Sequence, residues 1–169
     1  MFLNQGAAEN LLQEMGIKDM PLVAITPTIT QISSDWFKKY KELCHQFMLT
    51  LTDSVETLAF MNLTQDEFMN LIMGKSMPEN MSFRLRTPLI WGGKLEIDNM
   101  FICRTFPHSY NMDRFILAQH GNKTVWLPNP PNKVYWPART ASGGDGGNAT
   151  EDRLTENSAA QIVAAGRDI

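Results

Sequence analysis

The histidines and cysteines, the commonest zinc ligands, are few and widely spaced along this chain. Its 169 residues include three histidines and two cysteines. Cys103, His108 and His120 are separated by four and then eleven residues, which matches no zinc-ligand spacing. Two cysteines do not form a disulfide framework. The glycine-rich run at 142–147 has no following lysine and no preceding strand, so it does not predict a phosphate-binding loop.

Two arginines, Arg84 and Arg86, are the candidate binding residues. They lie in a stretch where apolar and polar residues alternate, which predicts a strand that begins near Met81. Because successive side chains point to opposite faces of a strand, both arginines should project from one face. From that face they can contact a phosphate or an acidic partner. A structural salt bridge or a solvated position is the alternative.

The elements that position these arginines begin with helices and an extended arm. Residues 7–15 predict a short helix closed by Gly16. Residues 20–32 are rich in β-branched residues and are interrupted by Pro21 and Pro27. Because proline cannot donate a hydrogen bond within a central strand, this stretch predicts an extended arm or an edge strand.

Two further helices are predicted before the arginine strand. Apolar residues recur at helical spacing across 34–51: Trp36, Tyr40, Leu43, Phe47 and Leu51. Residues 53–61 either extend this helix or form another. Thr64 and Glu67 have the spacing of a capping box, which predicts a helix that buries Phe68, Leu71 and Ile72 and ends near Gly74.

After the arginine strand, Gly92-Gly93 predicts a turn and 99–103 predicts a return strand. Pro107 lies at or near the start of a helix that carries Met112, Phe115 and Ile116 and stops at Gly121. Two short aromatic segments, 124–127 and 133–136, predict a short β-hairpin. The fold class is therefore α+β, with a helical N-terminal half packed on a strand–strand–helix finger.

We divide the chain into three parts. Residues 1–33 form an N-terminal arm, and 34–138 form the helical and finger-containing domain, with the finger at 64–120. Residues 139–169 form a flexible Gly-rich linker and tail. Within that tail, 153–165 forms a weak helix or orders only with a partner.

The order of features in the finger resembles the HNH/endonuclease VII superfamily of ββα-metal nucleases, especially the toxin-type domains of bacterial toxins and secreted effectors. The shared order is a capped helix, a strand, a Gly-Gly turn, an Asn, a second strand and a His-bearing helix. The residues that carry the resemblance are Gly74, Lys75, Pro78, Pro88, Leu89, Gly92, Gly93, Asn99, Met100, Ile102 and His108.

The resemblance implies a particular chemistry. In that superfamily a histidine at the end of the first strand is the general base, and further His or Asp side chains hold a divalent metal. It makes Asn99 and His108 candidate catalytic residues, and His108 and Asp98 candidate metal ligands. For Asn99 the alternative is a structural role, in which its side chain caps or ties the hairpin loop. The positions of the paired histidines hold Arg84 and Leu85. Arginine cannot act as a base near neutral pH, and leucine cannot bind a metal.

Three functions remain open. The first is a non-catalytic HNH-like protein that binds a protein or, alternatively, a nucleic acid, in a bacterial toxin, secretion or mobile-element setting. The second is an active nuclease effector with a rebuilt site that uses His108, Asn99 and either Asp98 or Glu96, with a divalent metal as cofactor. The third is a structural or accessory component of a phage or contractile secretion system, which the Pro-punctuated arm and the Gly-rich tail favour.

Charge and hydropathy limit these functions. The formal net charge is −3, and no part of the chain is strongly basic, which disfavours tight unaided binding to nucleic acid. Eleven methionines fit an adaptable core or a partner-binding face. The sequence predicts neither a signal peptide nor a membrane span. We therefore expect a cytoplasmic protein, or one exported by a non-classical secretion machine.

Overall fold

The computed structural model describes residues 3–51, 61–73 and 75–137. The predictions for 53–61, Gly74 and the tail at 139–169 lie outside the described residues. Within them the fold is α+β, as predicted, with four helices and two small sheets. No helix among the described residues is long and apolar enough to cross a membrane.

The four helices lie where the sequence patterns predict them: α1 Gln5–Glu14, α2 Trp36–Leu51, α3 Gln65–Ile72 and α4 Tyr110–Leu117. Side chains cap two of them. Asn4 accepts a hydrogen bond of 2.8 Å from the Ala7 N–H at the start of α1. Thr64 and Glu67 form the predicted capping box of α3, with reciprocal bonds of 3.2 and 2.9 Å. These side chains satisfy amide groups that have no partner within the helix.

Five strands form the two sheets: β1 Leu22–Ile25, β2 Met81–Leu85, β3 Met100–Arg104, β4 Val125–Pro128 and β5 Val134–Tyr135. The three-stranded sheet has the order β2-β3-β5, with β3 antiparallel to β2 and parallel to β5. The two-stranded sheet pairs β1 with β4 in antiparallel orientation. The predicted edge strand within 20–32 is thus confirmed as β1.

The predicted hairpin of 124–127 with 133–136 is wrong in its pairing. Both segments are strands, but β4 pairs with β1 and β5 pairs with β3. The Pro-rich connection between them passes from one sheet to the other. A hairpin requires a connection that turns the chain back on itself, and the choice between local and distant pairing depends on which apolar faces each strand can bury.

The three-stranded sheet packs against other elements on both faces. One face, which we call the α2 face, consists of Met81, Phe83, Leu85, Met100, Ile102 and Val134, and it packs against α2 and α3. The other, the α4 face, carries Phe101, Cys103 and Tyr135, and it packs against α1, α4 and the β1–β4 sheet. Strand periodicity places Ser82 and Arg84 on the α4 face as well. The order β2, β3, α4 matches the predicted strand–strand–helix finger, but many α+β proteins share that order.

Candidate functional site

Arg84, a candidate binding residue, is an internal residue in this structure. Its side chain is directed from β2 to the inside of α4, and the residue is only 4% exposed. The Nη1 group donates a hydrogen bond of 2.6 Å to Oδ1 of Asp113. It also contacts Ser109, at 3.0 Å to Oγ and 3.2 Å to the carbonyl oxygen. The Arg84 side chain is therefore engaged inside the protein and does not reach an external partner in this structure.

Asp113 and Ser109 were not among the predicted site residues, although the sequence of α4 carries a signal for a buried polar contact. Ser109 immediately precedes α4 and Asp113 lies four residues further on, next to Met112, Phe115 and Ile116, which are buried. A carboxylate within an apolar helical stripe requires a buried cation or donor, because an isolated buried charge is costly. The neighbouring strand offers Arg84 for that role.

Burial governs the electrostatics of this pair. Burial raises the pKa of Asp113 above its ordinary value, and the charge of Arg84 offsets only part of that effect. Burial by itself lowers the pKa of Arg84, but neighbouring groups, first among them the charge of Asp113, together outweigh it, so the pKa of Arg84 is raised. The second carboxylate oxygen of Asp113 has no hydrogen-bond partner among the described residues. The pair is thus desolvated and incompletely satisfied on its acidic side.

Cys103 lies on the same face of the sheet as this ion pair and is fully buried. Burial raises the pKa of its thiol to about 12. The thiol is consequently protonated at neutral pH. Because the thiolate is the nucleophilic and metal-binding form of cysteine, Cys103 serves neither role in this state.

Arg86 is half-buried and holds the segment that leads from β4 to β5. Its Nε donates to the Asp98 carbonyl oxygen at 3.2 Å. The Nη groups donate to the Asn129 side chain at 3.3 Å and to the carbonyl oxygens of Pro130 and Asn132. These contacts use most of the five N–H groups of the guanidinium. Arg86 also borders a cleft of about 460 Å³, whose other cation is Lys133.

Asn99, a candidate catalytic residue, closes the connection between β2 and β3. Its amide donates to the carbonyl oxygens of Thr87 and Lys94 at 3.0 and 2.9 Å. Its side-chain oxygen accepts from the Thr87 N–H at 3.0 Å. The side chain is therefore engaged within the loop, which fits the predicted role of tying the hairpin.

The glycine pair makes that connection possible. Gly92 adopts φ of +95°, a conformation that strongly favours glycine. At Gly93 an added Cβ would lie 1.9 Å from the carbonyl oxygen of Thr87, so no side chain fits. The Gly93 N–H donates to the Pro88 carbonyl oxygen at 3.0 Å. The predicted Gly-Gly turn is confirmed.

His108 and Asp98 lie beyond opposite ends of β3. His108 precedes α4, is buried, and packs edge-on against Tyr135 with 5.3 Å between the ring centroids. Asp98 and Glu96 are exposed and precede the strand. The five residues of β3 alone span roughly 14 Å at about 3.4 Å per residue. A metal–ligand bond is about 2 Å, so His108 and Asp98 do not share one ion in this arrangement.

The divalent metal implied by the nuclease resemblance does not fit the residues present. Within 3–51, 61–73 and 75–137, no three His, Cys, Asp or Glu side chains group as metal ligands. The strand position of the family base holds the permanent cation Arg84, and the adjacent Leu85 is buried in the apolar core. A cation at that place repels a metal ion.

Comparison with known proteins gives no relative for this chain: no family model, curated protein or solved structure matches it. Function must therefore be inferred from the geometry of the residues themselves. The residues brought together are Arg84, Ser109 and Asp113 between hairpin and helix, and Arg86 with the segment that leads from β4 to β5. Both groups stabilise the finger internally.

Proposed function

We propose that this chain is a non-catalytic protein with an HNH-like finger, and that it acts by binding a protein partner. The observation that carries the proposal is the buried ion pair of Arg84 and Asp113. The pair lies between β2 and α4, and the resemblance equates the position of Arg84 with that of the base in a ββα-metal nuclease. A protein that cuts phosphodiesters needs water and substrate in that space.

The charge distribution supports a protein rather than a nucleic acid as partner. The net charge is −3, and the two arginines of the predicted binding face, Arg84 and Arg86, both make hydrogen bonds within the chain. Tight nucleic-acid binding depends on cations that are free to neutralise several phosphates. Exposed apolar side chains, including Phe37, Met69 and Met73, are better suited to a protein surface.

A cleavage assay tests the absence of catalysis. The purified full chain is incubated with DNA and RNA in the presence of Mg²⁺, Mn²⁺ or Zn²⁺. We expect no cleavage above a buffer control. A double variant, Asn99→Ala with His108→Ala, is the matched control for contaminating nucleases. Metal-dependent cleavage by the wild-type chain that this variant lacks would contradict the proposal.

A binding assay tests the class of partner. Fluorescence anisotropy with labelled single- and double-stranded DNA and RNA, at about 50 mM and 200 mM salt, should show no saturable binding. Micromolar or tighter binding that weakens steeply with salt would indicate several phosphate contacts and would overturn the choice of a protein partner. Unchanged behaviour of an Arg86→Met variant would support the internal role of that arginine.

A further inference from the structure

The two edges of the small β1–β4 sheet differ. The Asn129 N–H donates to the Pro21 carbonyl oxygen at 2.8 Å. On the opposite side of β4, the side-chain amide of Gln119 bonds both main-chain groups of Trp126, at 2.7 and 2.9 Å. In an antiparallel pair, alternate residues direct their main-chain groups to the partner strand. Val23 and Ile25 therefore face β4, whereas Leu22 and Ala24 direct their N–H and C=O groups outward.

The outer edge of β4 is closed and that of β1 is open. Gln119 covers Trp126 on the β4 edge, and Pro128 has no N–H to offer there. On the β1 edge, no hydrogen bond to the outward groups of Leu22 or Ala24 is present among the described residues. Open edges of this kind pair with other strands.

The segment that carries the open edge has no charged residue from Pro21 to Ser34. Natural edge strands are commonly protected by lysine or other charges, which this segment lacks. Val23 and Ala24 are exposed, and Ile29 is 76% exposed, the most of any large apolar side chain described. An uncharged segment does not repel an identical one.

We propose that β1 pairs in antiparallel orientation with β1 of a second copy of this chain, which makes a four-stranded β4-β1-β1-β4 sheet. The two-fold axis passes beside Val23, so that Leu22 lies opposite Ala24 of the partner subunit. This register uses all four outward main-chain groups of each strand and brings the two Val23 side chains together. Such an interface is the same patch on both subunits.

A second copy is favoured over other occupants by this self-complementarity. The two outward residues, Leu22 and Ala24, are equidistant from Val23, so an identical antiparallel strand satisfies them completely. Pro21 and Pro27 confine the pairing to a few residues in each copy. We therefore expect a dimer that depends on protein concentration. This inference is independent of the proposed function, since it concerns the β1 edge and not the finger.

The experiment is analytical ultracentrifugation of the full chain over a range of concentrations, with three substitutions at Val23. The wild type and Val23→Thr should form dimers. Val23→Lys and Val23→Glu should each dimerise about tenfold more weakly, because like charges meet at the axis. An equimolar mixture of Val23→Lys and Val23→Glu should recover a heterodimer, because the charges are then opposite.

A second variant tests the main-chain pairing. Ala24→Pro removes the outward N–H without affecting the bonds between β1 and β4. Because of the two-fold axis, each dimer loses two intersubunit hydrogen bonds. The dissociation constant of the dimer should therefore rise on the order of thirtyfold. Ala24→Ser is the matched control and should keep the dimer. Circular dichroism checks that each variant is folded.

Three outcomes would overturn the proposal. The first is a wild type that stays monomeric up to about millimolar concentration, the range of weak association. The second is a dimer that neither Val23→Lys nor Ala24→Pro weakens. The third is a monomer whose Leu22 and Ala24 amides are protected from hydrogen exchange, which would place another segment of the chain on the edge.

Discussion

The two faces of the three-stranded sheet are both buried, but the side chains that cover them differ in kind. The α2 face is covered mainly by apolar side chains. Arg104 joins this face at the end of β3, opposite Met81, where it is buried, stacks on Trp136 and donates a hydrogen bond to the carbonyl oxygen of Pro137. The α4 face carries a buried ion pair, Arg84 with Asp113, among its apolar residues. Apolar contacts are tolerant of exchange, whereas a buried charge requires one specific partner. We therefore expect stability on the α4 face to depend on whether both partners of the ion pair are present, and stability on the α2 face to follow the apolar volume that is buried.

The largest effect is expected from separating that ion pair. Asp113→Ala should lower the free energy of unfolding by about 3–5 kcal/mol, because it leaves Arg84 buried and unpaired. Urea denaturation followed by circular dichroism measures the loss. Asp113→Asn is the matched control of nearly equal volume. It should lose most of the unfolding free energy that Asp113→Ala loses, because it removes the negative charge without creating a cavity.

The double variant Arg84→Met with Asp113→Leu sharpens this prediction. Replacing both partners by apolar residues should recover most of the stability, because neither charge then remains buried. A double variant as unstable as the sum of the two single variants would show that the pair acts only through its packing. In that case the proposed difference between the two faces would not hold.

On the α2 face the cost should follow the volume removed. Ile102 is fully buried there, so Ile102→Ala should cost about 2–5 kcal/mol and Ile102→Val about 1 kcal/mol. Urea denaturation measures both variants. A loss below about 1 kcal/mol for Ile102→Ala would mean that this face collapses around cavities and is less tightly packed than its burial indicates.

A smaller effect is expected at the helix that covers the α2 face. Thr64→Ala removes one half of the capping box of α3 and should cost about 1 kcal/mol. Thr64→Ser keeps the hydroxyl and should be nearly neutral. Thermal unfolding detects the difference. Equal stability of Thr64→Ala and the wild type would show that packing alone fixes the start of α3.

The smallest effect at neutral pH concerns the cysteines near the two faces, Cys44 in α2 and Cys103 in β3. Burial raises the pKa of each thiol to about 12. Neither should react with a thiol reagent at pH 8 until the chain unfolds. Because the folded thiols stay protonated while unfolded thiols ionise near pH 9, stability should fall as the pH rises from about 9 towards 12. Rapid labelling of either thiol in the folded protein at pH 8 would contradict the burial of that face.

Local chemistry was enough to predict most elements and part of the site. The capping box at Thr64, the apolar stripe of α2 and the Gly92-Gly93 turn each depend on residues a few positions apart. Asn99 was expected to tie the hairpin, and its hydrogen bonds do so. The environment of Arg84 was left open between a binding contact and a salt bridge, because its partner lies 29 residues away on another element.

The sequence by itself determined where this chain forms helices, strands and tight turns, since capping, side-chain periodicity and the lack of a Cβ at glycine act over short distances. Only the tertiary structure decided that β4 pairs with β1, that β5 pairs with β3, and that Arg84 is turned inward to Asp113. Those outcomes depend on which surfaces exclude water together. Burial, unlike periodicity, depends on residues that are distant in the chain. Here it places Arg84, a candidate binding residue, inside the protein beside Asp113.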